Sequence, residues 1–222
     1  SRRSAAKPAK SFRFAARRSR NRPAAIFDLD NTLHYSPDYI KDVYAWSLKF
    51  LYTRYGLSSE LLKARRKVTD FPVFFKAVVT ENGEDPLVVY DVFEPELVKH
   101  VPAAAYIKPD GELRSLLKRL ARQYDLFVIT NNRGLVADAV LQALGVRDLF
   151  RDVVAPGIVL PPKPDPAMFR SVLGRAGAPN DRAVAFGDIF DTDLAPLQRL
   201  GLNKLFLVQG PDSLKKELKA FL

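Results

Sequence analysis

No cysteine occurs in the 222 residues. Disulfides, thiolate metal sites and a cysteine nucleophile are therefore excluded, and the absence fits a reducing compartment. No apolar run approaches the roughly 18–20 residues that a membrane-spanning helix needs. With 47% hydrophobic and 27% charged residues, the composition is that of a globular chain. The length suits one domain with an insertion, or two small domains, around a sizeable core. The expectation is a soluble, intracellular chain, in the cytoplasm or an organelle.

Acidic residues are missing from residues 1–23, which carry nine of the 35 Lys and Arg side chains. The remainder holds 26 cations against 25 acids. The net charge of +10 is thus the charge of an N-terminal arm, and the body is nearly neutral. The arm is rich in Ser, Ala and Arg. It has three readings: a solvated tail, the remnant of an organellar targeting segment, or a docking arm for RNA or an acidic protein surface.

Beyond the arm, short apolar runs recur: "AAIFDLD", "DLFVITNN", "DVVAPG", "RAVAFGD" and "KLFLVQG". Each is bounded by polar, Gly or Pro signals, as buried parallel strands are. Helical patterns alternate with them. "DGELRSLLKRLARQ" puts Leu113, Leu116, Leu117 and Leu120 on one face, and "GLVADAVLQALG" and "PAMFRSVLGRAG" behave alike. Gly145 and Gly177 are candidate helix stops. This alternation predicts an α/β fold with a parallel sheet and helices on both faces.

Residues 34–105 interrupt the alternation with a mostly helical insertion, which contains 12 of the 24 aromatic residues. "SPDYIKDVYAWSLKFLYTRYG" opens with Ser36 as N-cap and Pro37 as first helical residue. Its expected buried stripe is Ile40, Val43, Tyr44, Ser47, Leu48, Leu51 and Tyr55, with Trp46 and Phe50 toward another face. "SSELLKARRKVTD" and "FPVFFKAVVTENG" also read as helices. The cations of "KARRK" (63–67) have two readings, a phosphate contact and, by default, a solvated helix face.

In parallel α/β sheets, ligands bind at the carboxyl ends of the strands. The first strand ends on Asp28, with Asp30 two residues later, and the second ends on Thr130, Asn131 and Asn132. "PPKPDP" presents Lys163, and the fourth strand ends on Gly187 and Asp188, with Asp193 close behind. Taken singly, an Asp at a strand end is a helix cap and a Lys among prolines is a surface residue. Together they bring these carboxylates, a lysine and a hydroxyl to one sheet edge. Phosphoryl transfer through an aspartyl-phosphate needs these types. A carboxylate facing a phosphate dianion needs its repulsion cancelled, by Mg²⁺ and by lysine and hydroxyl donors. A second carboxylic acid protonates the leaving oxygen and then deprotonates water.

"DLDNT" (28–32), "ITNN" (129–132), Lys163 in "KPDP" and "GDIFDTD" (187–193) follow one another as the four motifs of the haloacid dehalogenase-like superfamily do. The chain resembles that superfamily from residue 24 to about residue 210. The resemblance implies a Rossmann-like core, residues 24–33 and 106–222, with a helical cap at 34–105 and the arm, 1–23, outside it. It implies Asp28 as nucleophile and Asp30 as acid/base. Thr130 would bind the phosphoryl group, Asn131 would add a backbone or amide donor, and Lys163 would neutralise nucleophile and phosphate. Asp188 would bind Mg²⁺ with the Asp28 carboxylate and the Asp30 backbone carbonyl, and Asp193 would support the site. Ile189 departs from the small polar residue frequent at its position.

Members that dehalogenate lack the second aspartate, and pump ATPases have Thr there, so Asp30 points to a phosphatase or phosphomutase. "FDLDNTLHYSPDYI" most resembles the branch hydrolysing pyrimidine nucleoside monophosphates and related small phosphates. The expected function is a Mg²⁺-dependent phosphatase acting on a small phosphorylated substrate. The alternative is a subunit with a structural or binding role in a larger, RNA-containing or organellar complex, docked by the arm. His34 has two readings, a substrate contact and a loop cap.

Overall fold

The computed structural model describes residues 22–58, 71–157, 160–177 and 179–222. Five parallel strands form one sheet: β1 (Ala24–Phe27), β2 (Asp125–Ile129), β3 (Phe150–Val154), β4 (Val184–Gly187) and β5 (Lys204–Leu207). Their order is β3-β2-β1-β4-β5. The chain builds outward from β1 to β3, then crosses to the other side of β1. The crevice between β1 and β4 is therefore the switch point at which open α/β sheets bind ligands.

Between the strands lie α1 (Pro37–Tyr55), α2 (Phe71–Glu81), α3 (Pro86–His100), α4 (Gly111–Leu120), α5 (Gly134–Ala143), α6 (Pro166–Ala176) and α7 (Ala195–Arg199), and α8 (Gly210–Phe221) follows β5. Strand alternation divides the core. Ala25, Phe27, Leu126, Val128, Val184 and Phe186 face one cluster with α4, α5 and α8. Ala24, Ile26, Phe127, Ile129 and Ala185 face the other, with α6 and α7. Helices thus cover both faces, as the alternating sequence predicts. Both caps expected from glycine form: Gly177 ends α6 in the left-handed conformation at φ 65°, and Gly145, at φ 72°, follows the end of α5.

The insertion after β1 contributes α1, α2 and α3 to the first cluster. Ser36 and Pro37 begin α1 as expected, although the Ser36 side chain makes no capping bond. The buried stripe is displaced by one position at its start. It runs Tyr39, Val43, Ser47 and Leu51, while Ile40, Tyr44, Leu48 and Tyr55 are half-buried. Trp46 and Phe50 turn inward onto Phe93 of α3, at ring-centroid distances of 5.8 and 5.0 Å. Phe71, Phe75 and Tyr90 complete the ring cluster around Phe93.

Of the arm, only Arg22 and Pro23 are described. Arg22 donates to the carbonyls of Ala121 (2.5 Å) and Tyr124 (2.9 Å). Residues 1–21 of the arm, on which the RNA or acidic-protein docking expectation rests, lie outside the described residues, as do residues 59–70 of the helix expected over 58–70, including "KARRK".

Truncating Phe93 removes a fully buried ring that five aromatic neighbours surround. Phe93→Ala is expected to lower unfolding free energy by about 3–5 kcal/mol, measured by denaturant titration. A loss below about 1 kcal/mol contradicts this packing.

Candidate active site

The chain leaving β1 stays in the sheet for one more residue, because Asp28 N–H donates to the Phe186 carbonyl at 2.9 Å. It then folds into a tight turn. Asn31 takes a left-handed conformation at φ 60°, which Asn tolerates better than most residues. Leu33 N–H donates to the Leu29 carbonyl at 3.0 Å, and Asn31 N–H to the His34 carbonyl at 2.8 Å. Leu29 is buried in the core. Asp28 and Asp30, on either side of it, reach the same cleft.

Lys163 arrives from the loop before α6. Asn131 fixes that loop from both sides: its side-chain oxygen accepts from Lys163 N–H at 2.6 Å, and its amide donates to the Lys163 carbonyl at 3.1 Å. The Lys163 ammonium then donates to Asp28 Oδ1 and to Asp193 Oδ1, both at 2.6 Å. All three side chains are buried. Asp193 is placed by the wide helical turn Phe190–Leu194, and its Oδ2 accepts from Ile189 N–H at 2.9 Å. The turn passes so close to β4 that a Cβ on Gly187 would lie 2.5 Å from Asp193 Cβ. Glycine is therefore required there by contact.

The electrostatics follow from burial. Desolvation pushes the Asp28 carboxyl up to about 7, against the pull of Lys163, and Asp193 and Asp30 add to the push. Burial also raises Asp188, helped by Asp193 and opposed by a hydrogen bond from Asn31. Burial alone would lower the Lys163 ammonium, but Asp28 and Asp193 hold it above its ordinary value. One cation thus faces three carboxylates. Carboxylate oxygens of Asp28, Asp188 and Asp193 lie within 4.8 Å of one another. This all-oxygen, charge-deficient set fits a hard divalent cation such as Mg²⁺. The Asp30 side chain is not part of the set.

Asp28, Asp30, Asn131, Lys163, Asp188 and Asp193 all line one cleft of about 160 Å³. Thr130 does not line it. It is fully buried behind the cleft, where its hydroxyl oxygen accepts from Asn132 N–H at 3.0 Å. Sequence reasoning missed the Asn131–Lys163 clamp and the close approach at Gly187, since neither leaves a sequence-local signal. It also missed Arg133. This buried guanidinium donates to Ser47 Oγ at 3.1 Å and stands 3.9 Å from the Phe71 ring centre and 5.0 Å from that of Phe93. Burial pushes it below its ordinary value, partly offset by Tyr90, Tyr44, Glu94 and Tyr39.

The profile of the family described as haloacid dehalogenase-like hydrolase matches residues 23–201. The chain belongs to this hydrolase family. Among curated proteins, it is 35% identical over 108 residues to a phosphoglycolate phosphatase of Rhodospirillum rubrum. That match covers 49% of this chain and 44% of the relative, so the chain spans about half the relative's length. It is 28% identical over 194 residues to the probable phosphatase IndB of Dickeya dadantii, covering 85% of this chain and 82% of that one. Among solved structures, a 2-haloacid dehalogenase from Pseudomonas syringae pv. Tomato superposes with a TM-score of 0.61 at 22% identity. It covers 90% of this chain and 99% of that one, a likeness of fold. The α/β sheet flanked by helices is thus the hydrolase family's Rossmann-like fold.

Gly187→Ala sets a methyl group against Asp193, with no flexible side chain available to yield. It is expected to lower unfolding free energy by about 1–3 kcal/mol. Gly174→Ala, in α6 with open space around it, serves as control and is expected to be neutral or stabilising. Equal midpoints for both variants in thermal unfolding would refute the close approach.

Proposed function

We propose that this chain is a Mg²⁺-dependent phosphatase that hydrolyses a small phosphate monoester through an aspartyl-phosphate on Asp28. The observation that carries the reading is the buried Asp28 carboxylate held by the Lys163 ammonium at 2.6 Å, with Asp30 beside it in the same cleft. The phosphatase names of two curated relatives support it. So does Asp30, since dehalogenating members of the family lack that residue.

In the proposed reaction, an Asp28 oxygen attacks phosphorus and the ester P–O bond breaks. Asp30 gives its proton to the leaving oxygen. Asp30 then takes a proton from water as that water's oxygen attacks the phosphorus of the aspartyl-phosphate. Phosphate leaves, Asp28 is regenerated and Asp30 is protonated again. Lys163 holds Asp28 in place and meets the phosphoryl charge, with Thr130 and the main chain at Asn131 as further donors. The Asp28 and Asp188 carboxylates and the Asp30 main-chain carbonyl would hold Mg²⁺, with Asp193 in support; when bound, it supplies positive charge against the phosphoryl oxygens.

On this reading, residues 24–33 and 106–222 are the catalytic core, and 34–105 form a cap that excludes water and selects substrate. The packing of Arg133, next to Asn132, into the aromatic rings of α2 and α3 supports that placement. Phosphoglycolate, named for the Rhodospirillum relative, and pyrimidine nucleoside monophosphates are the substrates to assay first.

Hydrolysis of p-nitrophenyl phosphate, phosphoglycolate and uridine monophosphate, each with Mg²⁺ and with chelator, tests the reading. Chelator-sensitive turnover of at least one is expected. Asp28→Asn should abolish it, and substantial residual turnover would mean that no covalent intermediate forms on Asp28. Asp30→Asn should slow turnover about 10²–10⁴-fold while leaving Mg²⁺ affinity, read by calorimetry, largely intact. Lost metal affinity in that variant would contradict the acid/base role.

A further inference from the structure

Asp30 is partly exposed and sits on a turn, where a carboxylate can choose among rotamers. Here each of its oxygens has a partner. His34 Nε2 lies 2.9 Å from Asp30 Oδ1, and Asn132 Nδ2 donates to Oδ2 at the longer distance of 3.4 Å. His34 is itself tightly placed. It is 3% exposed, its N–H donates to the Leu29 carbonyl, and its own carbonyl accepts from Asn31. The turn that follows the nucleophile strand therefore folds back and sets an imidazole against the carboxylate. His34 is not among the residues lining the cleft and meets it through Asp30.

An ionised carboxylate can only accept, so the bond requires the hydrogen on Nε2. Nδ1 has no partner among the described residues. A carboxyl group carries its own hydrogen on one oxygen only. An N–H donor fixed on Oδ1 makes that oxygen the acceptor and assigns the hydrogen to the more loosely held Oδ2.

We propose that His34 is the positioning residue of the acid: by donating to Oδ1, it presents Oδ2 of Asp30 as the oxygen that gives and takes the proton. The inference rests on the phosphatase reading. Its consequence is specific. The proton matters most when the leaving oxygen is basic, and little when the leaving group is already a stable anion.

The test uses the full chain with Mg²⁺ and a series of aryl phosphates from 2,4-dinitrophenyl phosphate to phenyl phosphate. Wild type is compared with His34→Leu and with His34→Gln, whose amide N–H can reach the same oxygen. His34→Leu is expected to lose about 10–100-fold in kcat on phenyl phosphate and under about 3-fold on 2,4-dinitrophenyl phosphate. A steeper leaving-group dependence results. His34→Gln should restore most of the phenyl phosphate rate. Equal losses across the series, or no loss on phenyl phosphate, would overturn the inference, because damage to packing alone slows all members alike. If His34→Leu does not fold, His34→Gln decides alone: a wild-type slope supports the donor role and a uniform loss refutes it. A folded wild type that hydrolyses neither a member of this series nor phosphoglycolate nor uridine monophosphate overturns the phosphatase reading; if turnover is confined to the last two, whose leaving oxygens are basic, His34→Leu should lose about 10–100-fold on them, and an undiminished rate overturns the inference.

Discussion

The site depends on one buried ammonium. Lys163 joins Asp28, at the end of β1, to Asp193, in the turn after β4, with 2.6 Å contacts to each. Removing three charged groups from water is costly unless they satisfy one another. The surrounding chain is arranged to keep them together. Asn131 clamps the lysine's main chain, Ile189 N–H holds the far oxygen of Asp193, and Gly187 leaves room for the turn to approach. The satisfaction is incomplete, however. One cation among Asp28, Asp188 and Asp193 leaves a negative excess, and burial keeps the Asp28 carboxyl raised to about 7. A site that needs more positive charge than its own side chains provide is suited to a divalent cation and an electrophilic phosphorus.

The sheet explains how residues more than a hundred positions apart meet. Because β2 and β4 flank β1, their carboxyl ends bring Thr130 and Asp188 to either side of Asp28. The insertion is held to this edge by a different kind of contact. Arg133 leaves the β2–α5 loop and is sandwiched among aromatic faces, which attract a cation through their quadrupoles. Its contact with Ser47 ties α1 to the same point. The helices after β1 are thus anchored beside the segment that carries Asn131 and Asn132.

Much of this was legible in the sequence because the fold's local rules are strong. Five short apolar runs became five strands, and the strand-end rule placed Asp28, Asp30, Lys163 and Asp188 together. The failures have physical causes. Helix α3 was not read as such because Pro95 lies inside it and Val88 and Val89 favour extended structure; tertiary packing around Phe93 overrides both. The stripe of α1 begins at Tyr39 rather than Ile40 because the Tyr39 ring packs at a tilt against Tyr106, a partner 67 positions away. The burial of Thr130, whose hydroxyl accepts from Asn132 N–H, has no signal in the sequence. The Asn131 clamp is a contact between loops, and no spacing encodes it.

Two carboxylates two residues apart can serve different roles only if their surroundings differ, and here they do. Asp28 continues the sheet, is buried and faces a full positive charge. Asp30 lies past the first turn, is partly exposed and faces single N–H donors from His34 and Asn132 rather than a buried ammonium. The buried Leu29 between them fixes the chain, so neither carboxylate can take the other's place. A charged partner stabilises an anion, which suits a nucleophile. Single N–H donors orient a carboxyl group without the pull of a buried ammonium, which suits a group that must alternately release and accept a proton. On the proposed reading, the division of labour between Asp28 and Asp30 comes from this difference in partners.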